Sequence, residues 1–138
     1  LELMNRLRAE LRTSILFITH DLGVIAKMAD HVAVMYLGKV AESGPVREIF
    51  HSPHHPYTQG LMHSIPSIAA SRSAKLTPIE GVVPDLFHVP PGCGFAPRCP
   101  KAMDLCREHV PPAFRVAPDN LTSCWLYDGS PRAVTHDA

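Results

Sequence analysis

The sequence has no apolar run near the ~18 residues that a membrane-crossing helix needs. It has no excess of charge either, since 13 Lys and Arg balance 13 Asp and Glu. The first absence argues against a helical membrane span within these residues, and the second against a basic face for nucleic acid. No G-x-x-x-x-G-K-[ST] stretch occurs, so the chain by itself lacks the glycine-rich backbone cradle that such a loop builds around nucleotide phosphates. There is no apolar strand ending in Asp-Glu, no Ser-Gly-Gly-rich motif, no internal repeat and no low-complexity tract. No two of the four cysteines are separated by fewer than five residues, so the close Cys-x₂₋₄-Cys pairs usual in structural zinc sites are missing.

What is present is an ordinary globular composition, 46% hydrophobic over 138 residues, enough for one modest domain with a small satellite. All 14 prolines lie at or beyond Pro45, which marks a change of architecture there. The chain opens on Leu1 rather than Met. Its first residues read as a mixed charged and apolar helix and not as an export signal, so the expectation is a piece of a longer chain.

Leu3, Met4, Leu7 and Leu11 recur at helical spacing among charged residues, which predicts an amphipathic helix over 1–11. Ile15-Leu16-Phe17-Ile18 is a continuous apolar run, and its length and β-branching predict a strand buried on both faces of a parallel sheet. Asp21 is placed to cap a helix over 22–29. His20 would then stand at the carboxyl end of that strand, the edge where open α/β sheets bind ligands. Val32, Val34 and Tyr36 predict a second strand, Gly38-Lys39 a tight turn and Val40 to Glu42 its hairpin partner. Pro45 is suited to the first position of a short helix carrying Ile49 and Phe50, and Pro56 to the start of another that ends near Ser64.

A buried strand ending in Thr19-His20-Asp21, a helix ending in Ala29-Asp30, then a strand, a Gly-Lys turn and Glu42-Ser43-Gly44 resemble the end of an ABC-transporter ATPase domain. The resemblance implies a P-loop, RecA-like α/β fold of which residues 1–50 are the last part. It implies that His20 is the family's switch histidine, the catalytic residue that reaches the γ-phosphate of ATP. An imidazole held at a rigid strand end can donate a hydrogen bond to a phosphate oxygen as charge develops there. In the family the phosphate loop, the magnesium-site strand and the signature motif precede this histidine. As it stands, the chain should therefore not hydrolyse ATP.

His55-Pro56-Tyr57-Thr58, with Leu61 and Ser64-Ile65-Pro66 following, resembles the element that marks the oligopeptide and dipeptide (also nickel) importer branch of these ATPases. That narrows the implied cargo to peptides or a related small solute. His51, His54 and His55 also suggest a metal site, but adjacent histidines cannot easily share one ion and Pro53 and Pro56 fix the backbone. Residues 67–75 read as a surface linker. Ile79 to Leu86 resembles the same branch's I-x-G-x-x-P segment and is expected to lay a short extended strand back on the body.

Cys93, Cys99, Cys106 and Cys124 carry the remaining chemistry. A disulfide pair, a zinc ion and an iron–sulfur cluster all stand as readings. Four thiolates at spacings this wide suit the longer corner-to-corner reach of a cluster, and Cys99-Pro100 resembles the Cys-Pro step of ferredoxins. The importer branch carries such a cysteine motif, in some members similar to a [4Fe–4S] site. A proline-rich segment with few apolar runs struggles to offset its ordering entropy by burial alone, so a cross-link through metal would serve it. Phe95, Leu105, Phe114 and Trp125 are candidates to shield the site, and Arg98 and Lys101 to lower its charge.

The preferred expectation is an ATP-binding subunit of a peptide importer that uses ATP and Mg²⁺ when whole and carries a [4Fe–4S] cluster or zinc. It would pair with a second ATPase subunit and with membrane permease subunits, serve a solute-binding protein indirectly, and sit on the cytoplasmic face of the inner membrane. Residues 51–127 would form its branch-specific extension and 128–138 a tail. The other expectation is a non-enzymatic metal-binding or interaction module.

Overall fold

The computed structural model describes residues 1–65, 78–85 and 87–129; the predicted linker over 67–75 and the tail from residue 130 lie outside them. Among the described residues no helix is long and apolar enough to cross a membrane.

The polypeptide begins with α1, Glu2–Leu11, which ends on Arg12 in the left-handed conformation with its N–H on the Arg8 carbonyl. As the spacing predicts, α1 is amphipathic, but it buries none of its residues: Leu3, Leu7 and Leu11 are exposed. Ile15 to Ile18 is not a strand. It is irregular, and Leu16 and Ile18 are 89% and 95% exposed. A strand of a parallel sheet exists only when neighbours take its backbone hydrogen bonds and cover both faces. No described strand lies beside this run, so the expected parallel sheet is not formed here. The helix after it does form. In α2, Leu22–Met28, the Asp21 side chain accepts from the Val24 N–H at 3.0 Å, and Thr19 Oγ1 accepts from the Asp21 N–H at 3.0 Å.

The hairpin follows as predicted: β1, His31–Tyr36, pairs antiparallel with β2, Lys39–Pro45. Its turn residues are Leu37 and Gly38, at φ 47° and 75°, one step earlier than the Gly38-Lys39 turn read from the sequence. Two successive positive φ values match the right-handed twist of the flanking strands. The turn thus places a leucine in a conformation that usually costs a non-glycine residue about 1–2 kcal/mol. Pro45 closes β2 and is the N-cap, not the first residue, of α3, Val46–His51. Val32, Val34 and Ile49 form the buried centre here, with Ile25, Val46, Phe50, Tyr57 and Leu61 packed around it. The amphipathic hairpin and helices 2 to 4 therefore share one core. Helix α4, Pro56–His63, has Pro56 at its start and ends at Ser64.

Beyond α4, residues 79–85 make no strand, contrary to expectation. They are held instead by Arg98, whose guanidinium donates to the Ile79 carbonyl at 2.8 Å and the Glu80 carbonyl at 3.0 Å. A Cβ on Gly60 would come within 2.7 Å of the Ile79 side chain, so a glycine on α4 lets this segment lie close. The chain then runs through a 3₁₀ turn at Ala96–Arg98, helix α5 at Asp104–Glu108, strand β3 at Phe114–Ala117 and strand β4 at Asn120–Thr122. A last 3₁₀ turn spans Trp125–Tyr127. Strand β4 pairs antiparallel with both β2 and β3, giving one four-stranded sheet in the order β1-β2-β4-β3. One small mixed α/β unit results, its sheet wholly antiparallel.

Where β2 meets β4, Glu42 stands opposite Thr122 and is completely buried. Its carboxylate accepts the backbone N–H of His54 at 2.8 Å and that of His55 at 3.0 Å. The loop ahead of α4 is thereby fastened to the sheet. Replacing Glu42 by Gln turns one acceptor into a donor facing an N–H. We expect Glu42→Gln to lower unfolding free energy by about 2 kcal/mol, the cost of a buried donor left without its acceptor. The urea midpoint reads this directly, and an unchanged midpoint would show that the two N–H bonds contribute nothing net.

Candidate site: a cavity lined by four cysteines

The loop between Pro90 and Pro112 folds back on itself because Gly92 has no side chain. A Cβ there would lie 2.3 Å from the Cys106 carbonyl oxygen and 2.7 Å from the Arg107 carbonyl carbon. That approach lets the Cys93 N–H donate to the Cys106 carbonyl at 2.7 Å. Cys93 opens a series of tight turns in which its own carbonyl receives the Ala96 N–H at 2.9 Å and the Cys99 carbonyl receives that of Ala102 at 3.2 Å. Cys106 lies in α5, and Cys124 follows β4 at the head of the last 3₁₀ turn. Four positions spread over 32 residues are thus delivered to one place by a glycine contact, a short helix and a sheet strand.

All four cysteines line one small cavity of about 10 Å³, room for about one water. All four are free thiols; Cys106 and Cys124 are buried, and Cys93 and Cys99 partly so. Burial pushes the thiols of Cys93 and Cys99 above their ordinary range, and that of Cys124 up to about 11, with the neighbouring cysteines adding to each. Crowded thiols in an apolar cavity resist ionising because each thiolate would face the others unscreened. Among the described residues no three His, Cys, Asp or Glu side chains are arranged to hold one metal ion.

Of the predicted shielding residues, Phe95 and Trp125 line the cavity. Phe114 is fully buried behind Trp125, with ring centroids 6.0 Å apart, while Leu105 is exposed and is not among the lining residues. Lys101 lines the cavity. Arg98 does not; its guanidinium is spent on residues 79 and 80 and on the Tyr36 hydroxyl at 3.4 Å.

The sequence reading missed His55 as a member of this wall. It is 3% exposed, its Nδ1 accepts the Tyr57 N–H at 3.0 Å as the N-cap of α4, and its ring lies 5.9 Å from that of Phe95. The three histidines 51, 54 and 55 are not a cluster. His51 is exposed at the end of α3, and His54 lies against Glu42, Asn120 and Tyr127. The Tyr127 hydroxyl donates to the His54 carbonyl at 3.1 Å. Glu42 also escaped notice, although a carboxylate in mid-strand between apolar residues is a signal of a buried, satisfied acceptor. His20 is exposed in the bend just before α2 and is not among the residues that line the cysteine cavity.

Against known proteins, residues 41–106 match the profile of the C-terminal region of the oligopeptide/dipeptide transporter family. That match spans α4, its histidine cap and three of the four cysteines. The relatives are ATP-binding proteins of peptide transport. Over 129 residues, 93% of the chain, it is 50% identical to the dipeptide transport ATP-binding protein DppD of Bacillus subtilis (strain 168). It is 49% identical over 91% of its length to the oligopeptide transport ATP-binding protein OppD of the same organism. A putative peptide import ATP-binding protein of Brucella ovis is 45% identical over 90%. The chain spans only 38%, 35% and 38% of these three proteins.

Burial lowers the pKa of His55 from its ordinary 6.5 to about 4, against an opposing pull from Glu42. The unfolded chain takes up a proton near pH 6.5 that the folded chain refuses until about pH 4. Stability is therefore complete above pH 6.5 and is lost as pH falls across that window, by up to about 3 kcal/mol. Urea unfolding of the metal-free chain at pH 7.5 and pH 4.5 is expected to show the loss, and His55→Asn to reduce it. An equal pH dependence in the variant would place the acid sensitivity elsewhere.

Proposed function

We propose that this chain is the C-terminal part of the ATP-binding subunit of an ABC importer for peptides, a protein that couples ATP hydrolysis to uptake. The observation that carries this reading is half-identity along nine-tenths of the chain to a dipeptide transport ATP-binding protein. On this reading residues 1–50 end a P-loop, RecA-like ATPase domain, residues 51–127 are the peptide-importer extension and 128–138 its tail. The exposed apolar face of α1 and the uncovered Leu16 and Ile18 are what a domain edge presents when its neighbouring strands lie elsewhere. The subunit would pair with a second ATPase subunit, dock on permease subunits at the cytoplasmic face of the inner membrane, and be served by a solute-binding protein.

In this setting His20 is the catalytic candidate. Asp21 fixes the turn by capping α2, and Thr19 Oγ1 fixes Asp21, so the imidazole is presented from a braced backbone. Its contribution is to donate to the γ-phosphate of ATP and steady the attacking water. The Mg²⁺ and the other phosphate contacts belong to motifs that these 138 residues do not contain. In the full-length subunit, His20→Ala is expected to lower ATP turnover by about 10²-fold or more, with ATP binding retained. Turnover within a few-fold of the parent would remove His20 from the reaction.

Cys93, Cys99, Cys106 and Cys124 are proposed to hold a [4Fe–4S] cluster. Four thiols on one apolar cavity are the right donor set. The cavity has room for about one water, and among the described residues no three His, Cys, Asp or Glu side chains are arranged to hold a metal ion, so a cluster, or zinc as the alternative, would require the lobe to open around it. In a cluster each thiolate meets its own iron. A bound cluster supplies a cross-link through four thiolates, and the proline-rich lobe supplies the turns and the Phe95 and Trp125 faces that keep water away. Anaerobic purification should give about four iron and four sulfide per chain with a band near ~400 nm, lost in Cys99→Ser. One zinc and no colour would replace the cluster by a structural ion, and no metal would leave the lobe as plain thiols.

A second reading, a non-enzymatic metal-binding or interaction module, is favoured for the chain by itself by one observation: the cysteine cavity lies within it, whereas no phosphate loop does.

A further inference from the structure

We propose that Cys93 and Cys106 are a redox-active pair, which a small organic disulfide oxidises to a Cys93–Cys106 disulfide in the metal-free chain. The proposal does not rest on the cluster reading. It competes with it, since a bond between these two sulfurs takes two of the four thiols from any metal.

The two residues are brought together by their backbones. Gly92 permits the close approach, and the Cys93 N–H donates to the Cys106 carbonyl at 2.7 Å. With about 1.5 Å from a nitrogen to its Cα and about 2.4 Å from a carbonyl oxygen to its own, that contact keeps the two Cα atoms within about 6.6 Å. Disulfides span roughly 4.4–6.8 Å between Cα atoms. Among the described residues no other two cysteines share a backbone hydrogen bond. Both thiols are free, and both side chains border the same cavity of about 10 Å³. So small a space suits a disulfide, which adds no atom and only draws two wall sulfurs together to about 2.05 Å.

Access orders the two steps. Of the four cysteines, Cys93 alone also lines a second cavity of about 100 Å³, on the side of Tyr36 and Val40. Cys93 is partly exposed, whereas Cys106 is buried. A reagent RSSR therefore meets Cys93 first, from the larger space. The Cys93 thiolate attacks one reagent sulfur, the reagent S–S bond breaks, and RS⁻ leaves and takes up the proton that Cys93 gave. The Cys106 thiolate then attacks the Cys93 sulfur of this mixed disulfide. The second RS⁻ leaves with the Cys106 proton, and the Cys93–Cys106 bond remains. Two protein thiols are oxidised and one organic disulfide is reduced to two thiols, while Cys99 and Cys124 are not consumed.

The probe is bis(2-hydroxyethyl) disulfide. The chain is freed of metal with a chelator, incubated with the probe and alkylated at its remaining thiols. Trypsin cuts after Arg98, Lys101, Arg107 and Arg115 put each cysteine on its own peptide, so a non-reducing map by mass spectrometry reads the pairing. We expect one dominant product, the Cys93 and Cys106 peptides joined with the loss of two hydrogens, with Cys99 and Cys124 alkylated. A dithiol should reverse it. The same treatment in urea gives the pattern of unguided pairing for comparison. In Cys106→Ser we expect the hydroxyethylthio adduct to stay on Cys93. The map of the parent needs no variant and stands if Cys106→Ser fails to fold. Unreacted thiols, a dominant pair other than Cys93–Cys106, an adduct with no internal bond or a map like that in urea overturns the proposal. An adduct on Cys99 in place of Cys93 in the variant overturns the order of attack. Iron and sulfide uptake by the untreated chain tests the cluster reading separately, so the two fail independently.

Discussion

Glu42 is the fixed point of the molecule. Placing a carboxylate at zero exposure is unfavourable unless its oxygens are satisfied, and here both are, by consecutive backbone N–H groups of His54 and His55. Those two donors have no partner in a helix or a strand, since they sit in the turn ahead of α4. The interaction therefore joins β2 to α4 by the backbone of the loop between them, and sets where α4 begins. The side chain of His55 completes the arrangement by capping the helix that its own backbone has been positioned to start.

From that point the constraints run outward in two directions. Toward the hairpin, α4 lays Tyr57 and Leu61 against the Val32, Val34 and Ile49 core. Tyr57 meets Tyr36 at 4.7 Å between centroids, and Tyr36 meets Phe95 at 5.3 Å, so an aromatic chain leads from the core to the cysteine lobe. Toward β4, the pairing of Glu42 with Thr122 brings Cys124 to the cavity two residues later. Within the lobe Phe114 packs on Trp125 and Phe95 is buried. The lobe is held by the sheet at one end, by the Gly92 approach to Cys106 in the middle and by Arg98 on residues 79 and 80.

The local elements were readable because local chemistry specifies them. Asp21 caps α2, Pro56 starts α4 and the period-two pattern from Val32 gives the hairpin, since each depends on residues a few positions apart. The Ile15 to Ile18 run was misread for the opposite reason. Four apolar residues state a preference for burial, but a strand also needs partners for its amides, and the described residues provide none. The 79–85 segment failed as a strand likewise: the side chain of Arg98, 18 residues on, takes the carbonyls that a ladder would have taken.

For the site, the sequence by itself determined the ligand chemistry: four thiols, a proline-rich lobe and a histidine fixed before Pro56. Residue type decides what an atom can donate, accept or bind, and that needs no fold. Only the tertiary structure decided that the four thiols line one cavity, that His55 stands among them while His51 and His54 do not, and that Lys101 rather than Arg98 is the cation beside them. Those outcomes turn on contacts between residues more than a dozen positions apart, such as Glu42 with His55 and Gly92 with Cys106. A side chain's partner at that range is selected by the packing of everything between, which no local pattern encodes.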